Sequence, residues 1–263
     1  MTPDVELLCR DYLPGMLEPI LQRNGVAQTV LVQASNSFEE TLYLLELADQ
    51  NSFIAGVVGW VDLQTEETTR QLDALTARSK LKGVRHLVES EPADDWLMQA
   101  NVVRGLRELG ERGLTYDLLV HPRHLKYAAQ VAAQCPDTRF VVDHMAKPSI
   151  KSGEIGEWAS ELKPLAALPN VSCKLSGLMT EANWTNWRVE DLKPYVETAL
   201  ESFGPERMIF GSDWPVCLLA ATYEQALGAF QNLLANLNED ERRRIFSDNA
   251  VEVYRLEAEA IAA

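Results

Sequence analysis

RFVVDH, residues 139–144, is a short apolar run that ends on a carboxylate and an imidazole. Phe140, Val141 and Val142 suit an extended strand, and the ionisable pair marks what that strand delivers at its C-terminal end. The same design recurs on either side. RMIFGSD (207–213) ends on Asp213, NVSCKLS (170–176) carries Lys174, TYDLLVH (115–121) ends on His121, and LKGVRH (81–86) ends on Arg85 and His86. QTVLVQA (28–34) and FIAGVVGWV (53–61) complete seven candidate strands. Each interval between them holds one helix-like segment, which is the rhythm of consecutive βαβ units in a parallel sheet.

Unbroken βα alternation fits either an open doubly wound sheet or a barrel. The doubly wound sheet usually announces a nucleotide with a Gly-rich turn after its first strand, and none follows 28–34. A barrel collects chemistry at the C-terminal ends of its strands, and here those ends are rich in ionisable groups. The expected fold is therefore α/β of the (β/α)8 TIM-barrel type, one unit across residues 1–263.

Helix punctuation agrees with this. Ser37-x-x-Glu40 and Thr222-x-x-Gln225 predict capping boxes ahead of apolar stripes, and Gly113 and Gly204 predict left-handed C-terminal caps before the next strand. Residues 177–188, with Trp184 and Trp187, read as a longer loop after the sixth strand and a candidate lid.

Strand alternation sorts the polar residues by face. In 139–144 it groups Phe140, Val142 and His144 against Val141 and Asp143. In 207–213 it groups Ile209, Gly211 and Asp213, with the glycine suited to a crowded interior. In 170–176 it turns Val171, Cys173 and Leu175 towards the helices and Ser172, Lys174 and Ser176 inwards, where a lysine needs a partner.

Asp213 and His144 form the candidate catalytic pair, because a carboxylate that takes a proton from water beside an imidazole that polarises a carbonyl is what hydrolysis requires. The alternative is structural, with Asp213 a cap and His144 a hydrogen-bonded buried residue. Arg85, His86 and Lys174 are candidate substrate-binding residues, although Arg85 and His86 also suit balancing Glu89. His121, flanking Pro122 with His124, and Trp214, which like Trp60 suits stacking on a sugar ring, join the candidates.

Composition narrows the partners. With 24 Lys plus Arg against 39 Asp plus Glu, the 263-residue chain carries a formal charge of -15, which disfavours nucleic acid and anionic lipid surfaces. The four cysteines have no C-x-x-C spacing, and no apolar stretch is long enough for a membrane span, so a cytoplasmic protein is expected.

Across DYLPGMLEPILQRNGVAQTVLVQA, FIAGVVGWVDL, LKGVRHLVE, VVDHMAKP, NVSCKLSGL and MIFGSDWPVC the chain resembles the amidohydrolase-2 family, in particular its L-fuconolactonase and L-rhamnonolactonase-like branch. GSDWP together with GVRH and DH-x-x-KP carries the likeness, which extends from about Arg10 to NAVEVYRL near the C-terminus, similar to the family's closing helix. The resemblance implies a barrel that hydrolyses the cyclic ester of a sugar acid. It matches His144 to the family's histidine after strand six, and Asp213 to its general-base aspartate after strand eight. Arg85, His86 and Lys174 match segments that border the pocket.

The family opens with a strand bearing H-x-H, whereas the first histidine here is His86. The expectation is a barrel one strand short, by late start assignment or by truncation, with seven strands and unpaired edges at 28–34 and 207–213. Water, a neighbouring chain, or residues Met1 to Tyr12 would satisfy those edges. His144 and Asp213 are then the only candidate metal ligands, a poor set beside the three or four of bound zinc. No cofactor is assigned, and a divalent metal such as zinc is expected only with the H-x-H strand restored. The expected partner is a small sugar lactone, with homo-oligomerisation open. Two other functions stay open: a metal-dependent decarboxylase or amide hydrolase on the same barrel, and a catalytically inactive truncated barrel serving as a binding or assembly subunit.

Overall fold

The β-branched runs form strands where the sequence places them. In the computed structural model, which describes residues 3–75 and 77–257, the strands are β1 (Thr29–Val32), β2 (Ile54–Gly59), β3 (Leu81–His86), β4 (Thr115–Leu118), β5 (Arg139–Val142), β6 (Val171–Leu175) and β7 (Met208–Phe210). They form one seven-stranded sheet in the order β1-β2-β3-β4-β5-β6-β7, every adjacent pair parallel. Strict sequence order excludes the doubly wound arrangement, in which the order reverses about a switch point.

The curl of the sheet follows from its packing. Val58 on β2, Val141 on β5 and Ile209 on β7 share one buried cluster with Val30 and Val32 of β1. Strands that are not neighbours touch only across the hollow of a curled sheet, so this cluster is the barrel interior. A much larger apolar cluster, with Val57, Tyr116, Phe140, Val142, Cys173 and Met208, lies between the sheet and its helices.

The helices are α1 (Pro14–Arg23), α2 (Phe38–Gln50), α3 (Glu67–Leu75), α4 (Ala100–Glu111), α5 (Leu125–Gln134), α6 (Gly156–Ala166), α7 (Leu178–Glu181), α8 (Val189–Phe203), α9 (Tyr223–Leu233), α10 (Glu239–Arg243) and α11 (Asn249–Val253). Among the described residues no helix is long and apolar enough to cross a membrane. Gly113 and Gly204 both adopt positive φ, 72° and 69°, but the ψ of Gly204 is 164°, so it ends α8 in an extended glycine conformation and not in the expected left-handed cap. Thr222 and Gln225 form the expected reciprocal capping box. Ser37 caps α2 through the Glu40 amide, but the Glu40 carboxylate reaches past it to the amides of Ala34 and Ser35, so that box is only half formed.

Two segments close the seam between β1 and β7. On the outside, Leu17, Ile20 and Leu21 of α1 pack with Tyr223 and Leu227 of α9 and with Phe210 of β7. On the inside, Ala250, Val253, Tyr254 and Leu256 join the barrel-interior cluster. Polar contacts lock this C-terminal segment to the strand starts: Lys82 donates to the Arg255 carbonyl at 3.2 Å, Arg139 to that of Glu252 at 2.6 Å, and Asn249 to that of Met208 at 2.8 Å. The N-terminal segment, one of three expected ways of satisfying the strand edges, packs on the turn Val216–Leu219, and Tyr12 sets its ring edge against Trp214 at 5.2 Å. Met1 and Thr2 lie outside the described residues.

Candidate active site

Interior positions near the C-terminal ends of the middle strands carry charge. Arg85 on β3, Asp117 on β4, Asp143 after β5 and Lys174 on β6 form one buried chain of ion pairs. Arg85 donates to Asp143 Oδ2 at 2.9 Å, and Lys174 donates to Asp117 Oδ2 at 2.8 Å and also to Asp143 Oδ1. Arg85 is further held by the Gln33 side chain at 3.0 Å and by the Gln33 carbonyl. At the lower end of the chain, the Tyr254 hydroxyl donates to Asp117 Oδ2 at 2.8 Å.

These contacts fix the charges. Burial opposes ionisation of Asp143, but Lys174, Arg85 and His144 outweigh it and hold the carboxyl well below the ordinary carboxylate range. Burial likewise opposes a charged Lys174, yet Asp117 and Asp143 raise its pKa well above the usual lysine value. Asp117 is pushed up by burial, with Lys174 opposing. Inward-facing Lys174 thus has the partners its position demanded.

His144 arrives in the mouth by a different route from the one strand alternation suggests. Val142 faces the helices, and a continued strand would carry His144 with it. Instead β5 ends at Val142, and His144, Met145, Ala146 and Lys147 adopt φ of 49°, 53°, 60° and 51°. Such a left-handed run is costly for residues with a Cβ and persists only when its surroundings hold it. The holds are visible: Trp158 Nε1 donates to the Met145 carbonyl at 2.7 Å, the Lys147 amide returns to the His144 carbonyl at 2.9 Å, and the Lys147 ammonium pairs with Glu89. Gly177, at φ 68°, lets the imidazole pack against its backbone, since a Cβ there would lie 2.7 Å from Nδ1.

The turn brings His144 Nε2 to 3.7 Å from Asp213 Oδ1, while Nδ1 lies 2.8 Å from Ser176 Oγ. Asp213 follows Gly211, whose missing side chain makes room for the Lys174 stem, a Cβ there lying 3.3 Å from Lys174 Cγ and Cδ. Asp213 itself takes φ 56°. Burial raises its pKa above the ordinary carboxylate value; His144, Arg85 and Lys147 only partly offset this, and Asp143 adds to it.

The remaining candidates separate. His86 lies on the opposite face of β3 from Arg85 and is 5% exposed. Trp60 Nε1 donates to its Nδ1 at 3.0 Å, its Nε2 lies 2.7 Å from Glu91, and Trp96 stacks on the ring at 4.1 Å. Both ring nitrogens are therefore engaged, and burial, opposed by Glu91, lowers the pKa. His121 is half-buried, its Nε2 3.9 Å from Glu89. Trp214 is half-buried under Tyr12. In the segment after β6, which contains α7, Trp184 Nε1 donates internally to the Thr180 carbonyl, while Trp187 Nε1 donates to the Ala220 carbonyl and ties the candidate lid to the segment after β7.

Asp117, Asp143, Gln33 and Tyr254 are not among the residues the sequence singles out, and Ser176 is placed on the inside face without a role. A lone carboxylate in the apolar run TYDL was a visible signal for Asp117. Asp143 shares the interior face of Val141, as alternation indicates. Nothing local to Tyr254 predicts its contact.

An amidohydrolase family model matches residues 3–256. An L-fucono-1,5-lactonase of Burkholderia ambifaria is 38% identical over 96% of this chain and 88% of its own length, and one of Burkholderia multivorans is 37% identical over 95% and 88%. The crystal structure of an amidohydrolase from Burkholderia multivorans with bound zinc superposes with a TM-score of 0.94, at 34% identity, over 97% of this chain and 93% of that one.

Zinc can be tested against the residues of this chain. Among the described residues no three His, Cys, Asp or Glu converge as a metal site. His144 and Asp213 offer two donors, and Ser176 takes the other nitrogen of His144. Protein-held zinc takes three or four protein ligands, so the residues described here do not fit a protein-held zinc.

Proposed function

The chain belongs to the amidohydrolase family, and on that premise we propose that it hydrolyses the cyclic ester of a sugar acid, with L-fucono-1,5-lactone its nearest model substrate. The observation that carries the proposal is the His144–Asp213 pair at the barrel mouth. Asp213 makes no tight ion pair there, while the neighbouring Arg85 and Lys174 are each committed to buried carboxylates. The lactonase relatives support the choice of ester over amide.

In this reading, Asp213 takes a proton from water as the water oxygen attacks the lactone carbonyl carbon. Ser176 Oγ lies within hydrogen-bonding distance of His144 Nδ1, and Nε2–H, on the side of Asp213, donates to the carbonyl oxygen as negative charge builds there. Collapse of the tetrahedral intermediate breaks the ring C–O bond. The ring oxygen leaves as a hydroxyl, taking up the proton held by Asp213, and the acid product is released as the carboxylate. The raised pKa of Asp213 suits a group that must both accept and return a proton.

The test is proton release from L-fucono-1,5-lactone and other neutral aldonolactones, followed with a pH indicator above the spontaneous rate, with chelator and with added zinc as parallel arms. Saturable turnover of sugar lactones is expected. Failure on every lactone by a folded protein, or turnover of amides or aromatic acids instead, overturns the proposal.

A further inference from the structure

Besides Asp213, one carboxylate near the mouth is left over when the ion pairs among the described residues are assigned. Arg85 is paired with Asp143, Lys174 with Asp117 and Asp143, and Lys147 with Glu89, while Glu91 is hydrogen-bonded to His86. Glu181, at the end of α7, makes no side-chain hydrogen bond or ion pair to any described residue, and it is only half-buried. The fold nevertheless holds it at the site. Gly177, immediately before α7, touches the ring of His144, and α7 packs on both the Val216–Leu219 turn after Asp213 and the Ile150–Ser152 turn after Lys147. Lys147, Glu89 and Asp213 are the charges that act on Glu181, and the packing of α7 on the turns that follow Lys147 and Asp213 sets it beside both.

An unpartnered carboxylate there does two things to a ligand. It accepts a hydrogen bond from a hydroxyl, and it repels a second carboxylate, with no free cation among the described neighbours to cancel the repulsion. We propose that Glu181 is a specificity-determining residue that binds a hydroxyl group of a neutral polyhydroxy lactone and excludes lactones that carry a carboxylate. The proposal rests on the lactonase reading and adds to it the charge class of the substrate.

The test compares kcat and KM for neutral L-fucono-1,5-lactone and for D-glucaro-1,4-lactone, which bears a carboxylate, in the wild type and in the variants Glu181→Gln and Glu181→Asp. The wild type favours the neutral lactone. Glu181→Gln lowers that preference about tenfold or more, largely through a lower KM for the anionic lactone. Glu181→Asp keeps the charge and the exclusion, but its shorter reach raises KM for the neutral lactone several-fold. Circular dichroism establishes that both variants are folded, and the aspartate arm carries the test if the glutamine variant is not. An unchanged preference in Glu181→Gln overturns the proposal, as does a loss confined to kcat, which would make Glu181 a proton donor instead. A folded wild type that turns over no lactone overturns the lactonase reading and this inference with it, whereas an active wild type with indifferent variants overturns this inference alone.

Discussion

The Tyr254 hydroxyl donates to Asp117 Oδ2 at 2.8 Å across 137 positions of sequence, tying the segment after α11 to the polar floor of the barrel. Lys174 uses the same carboxylate oxygen, and Asp117 Oδ1 is buried with no hydrogen-bond partner among the described residues. Tyr254→Phe removes one of only two bonds to a buried carboxyl group. The expected cost is about 1–3 kcal/mol, a fall of several degrees in Tm, with kcat near the wild-type value at temperatures well below melting. Thermal unfolding followed by fluorescence checks this, and an unshifted Tm would show that the bond contributes nothing.

Asp213→Asn preserves shape but cannot take a proton from water. A loss of about 10²- to 10⁴-fold in kcat on a sugar lactone is expected, with the Tm unchanged or raised, because the wild-type carboxylate is itself disfavoured by burial. Full turnover by the asparagine enzyme would remove Asp213 from the chemistry.

The raised pKa of Asp213 has a sign that can be measured. If Asp213 is the general base proposed above, activity needs its carboxylate, so kcat/KM should rise with pH as Asp213 ionises, with the acid limb above the ordinary aspartate value of 3.8. Burial is the main cause, His144, Arg85 and Lys147 pull the value down, and Asp143 pushes it up. Lys147→Met removes one of the stabilising charges and should move the acid limb to higher pH. A limb at or below the ordinary value, or one indifferent to Lys147, contradicts the assignment.

The legible part of this molecule is the part written in local pattern. All seven strands, their parallel order, the inward face of Lys174 and the small Gly211 beside it follow from β-branched runs and the two-residue repeat of a strand. Alternation does not place His144, because it holds only while the strand lasts, and the left-handed run from His144 to Lys147 follows the end of β5. His86 and Arg85, adjacent in sequence, diverge to opposite faces of β3, so a shared strand end did not make a shared site. The Tyr254–Asp117 bond, and the C-terminal segment that fills the seam from inside, depend on contacts distant in sequence that no window of residues contains.

Asp143 is the keystone of the charge network, and its replacement gives the sharpest stability test. The carboxylate accepts from both Arg85 and Lys174, and it is fully buried. Asp143→Asn keeps the volume but leaves two buried cations to share Asp117, which burial already pushes towards the neutral form. Removing one partner of a buried ion pair costs about 3–5 kcal/mol, and here one carboxylate serves two cations, so the upper part of that range is expected near neutral pH. The pH dependence follows from linkage. Because the folded-state pKa of Asp143 is depressed, its contribution to stability is fully present above the unfolded carboxylate value and is lost as pH falls through the folded one. Urea unfolding of wild type and Asp143→Asn at neutral pH, and again below the ordinary carboxylate range, should therefore show a large gap that narrows in acid. A gap of under about 1 kcal/mol at neutral pH would mean that Arg85 and Lys174 find other partners when Asp143 is gone, and that the network is not what holds the interior together.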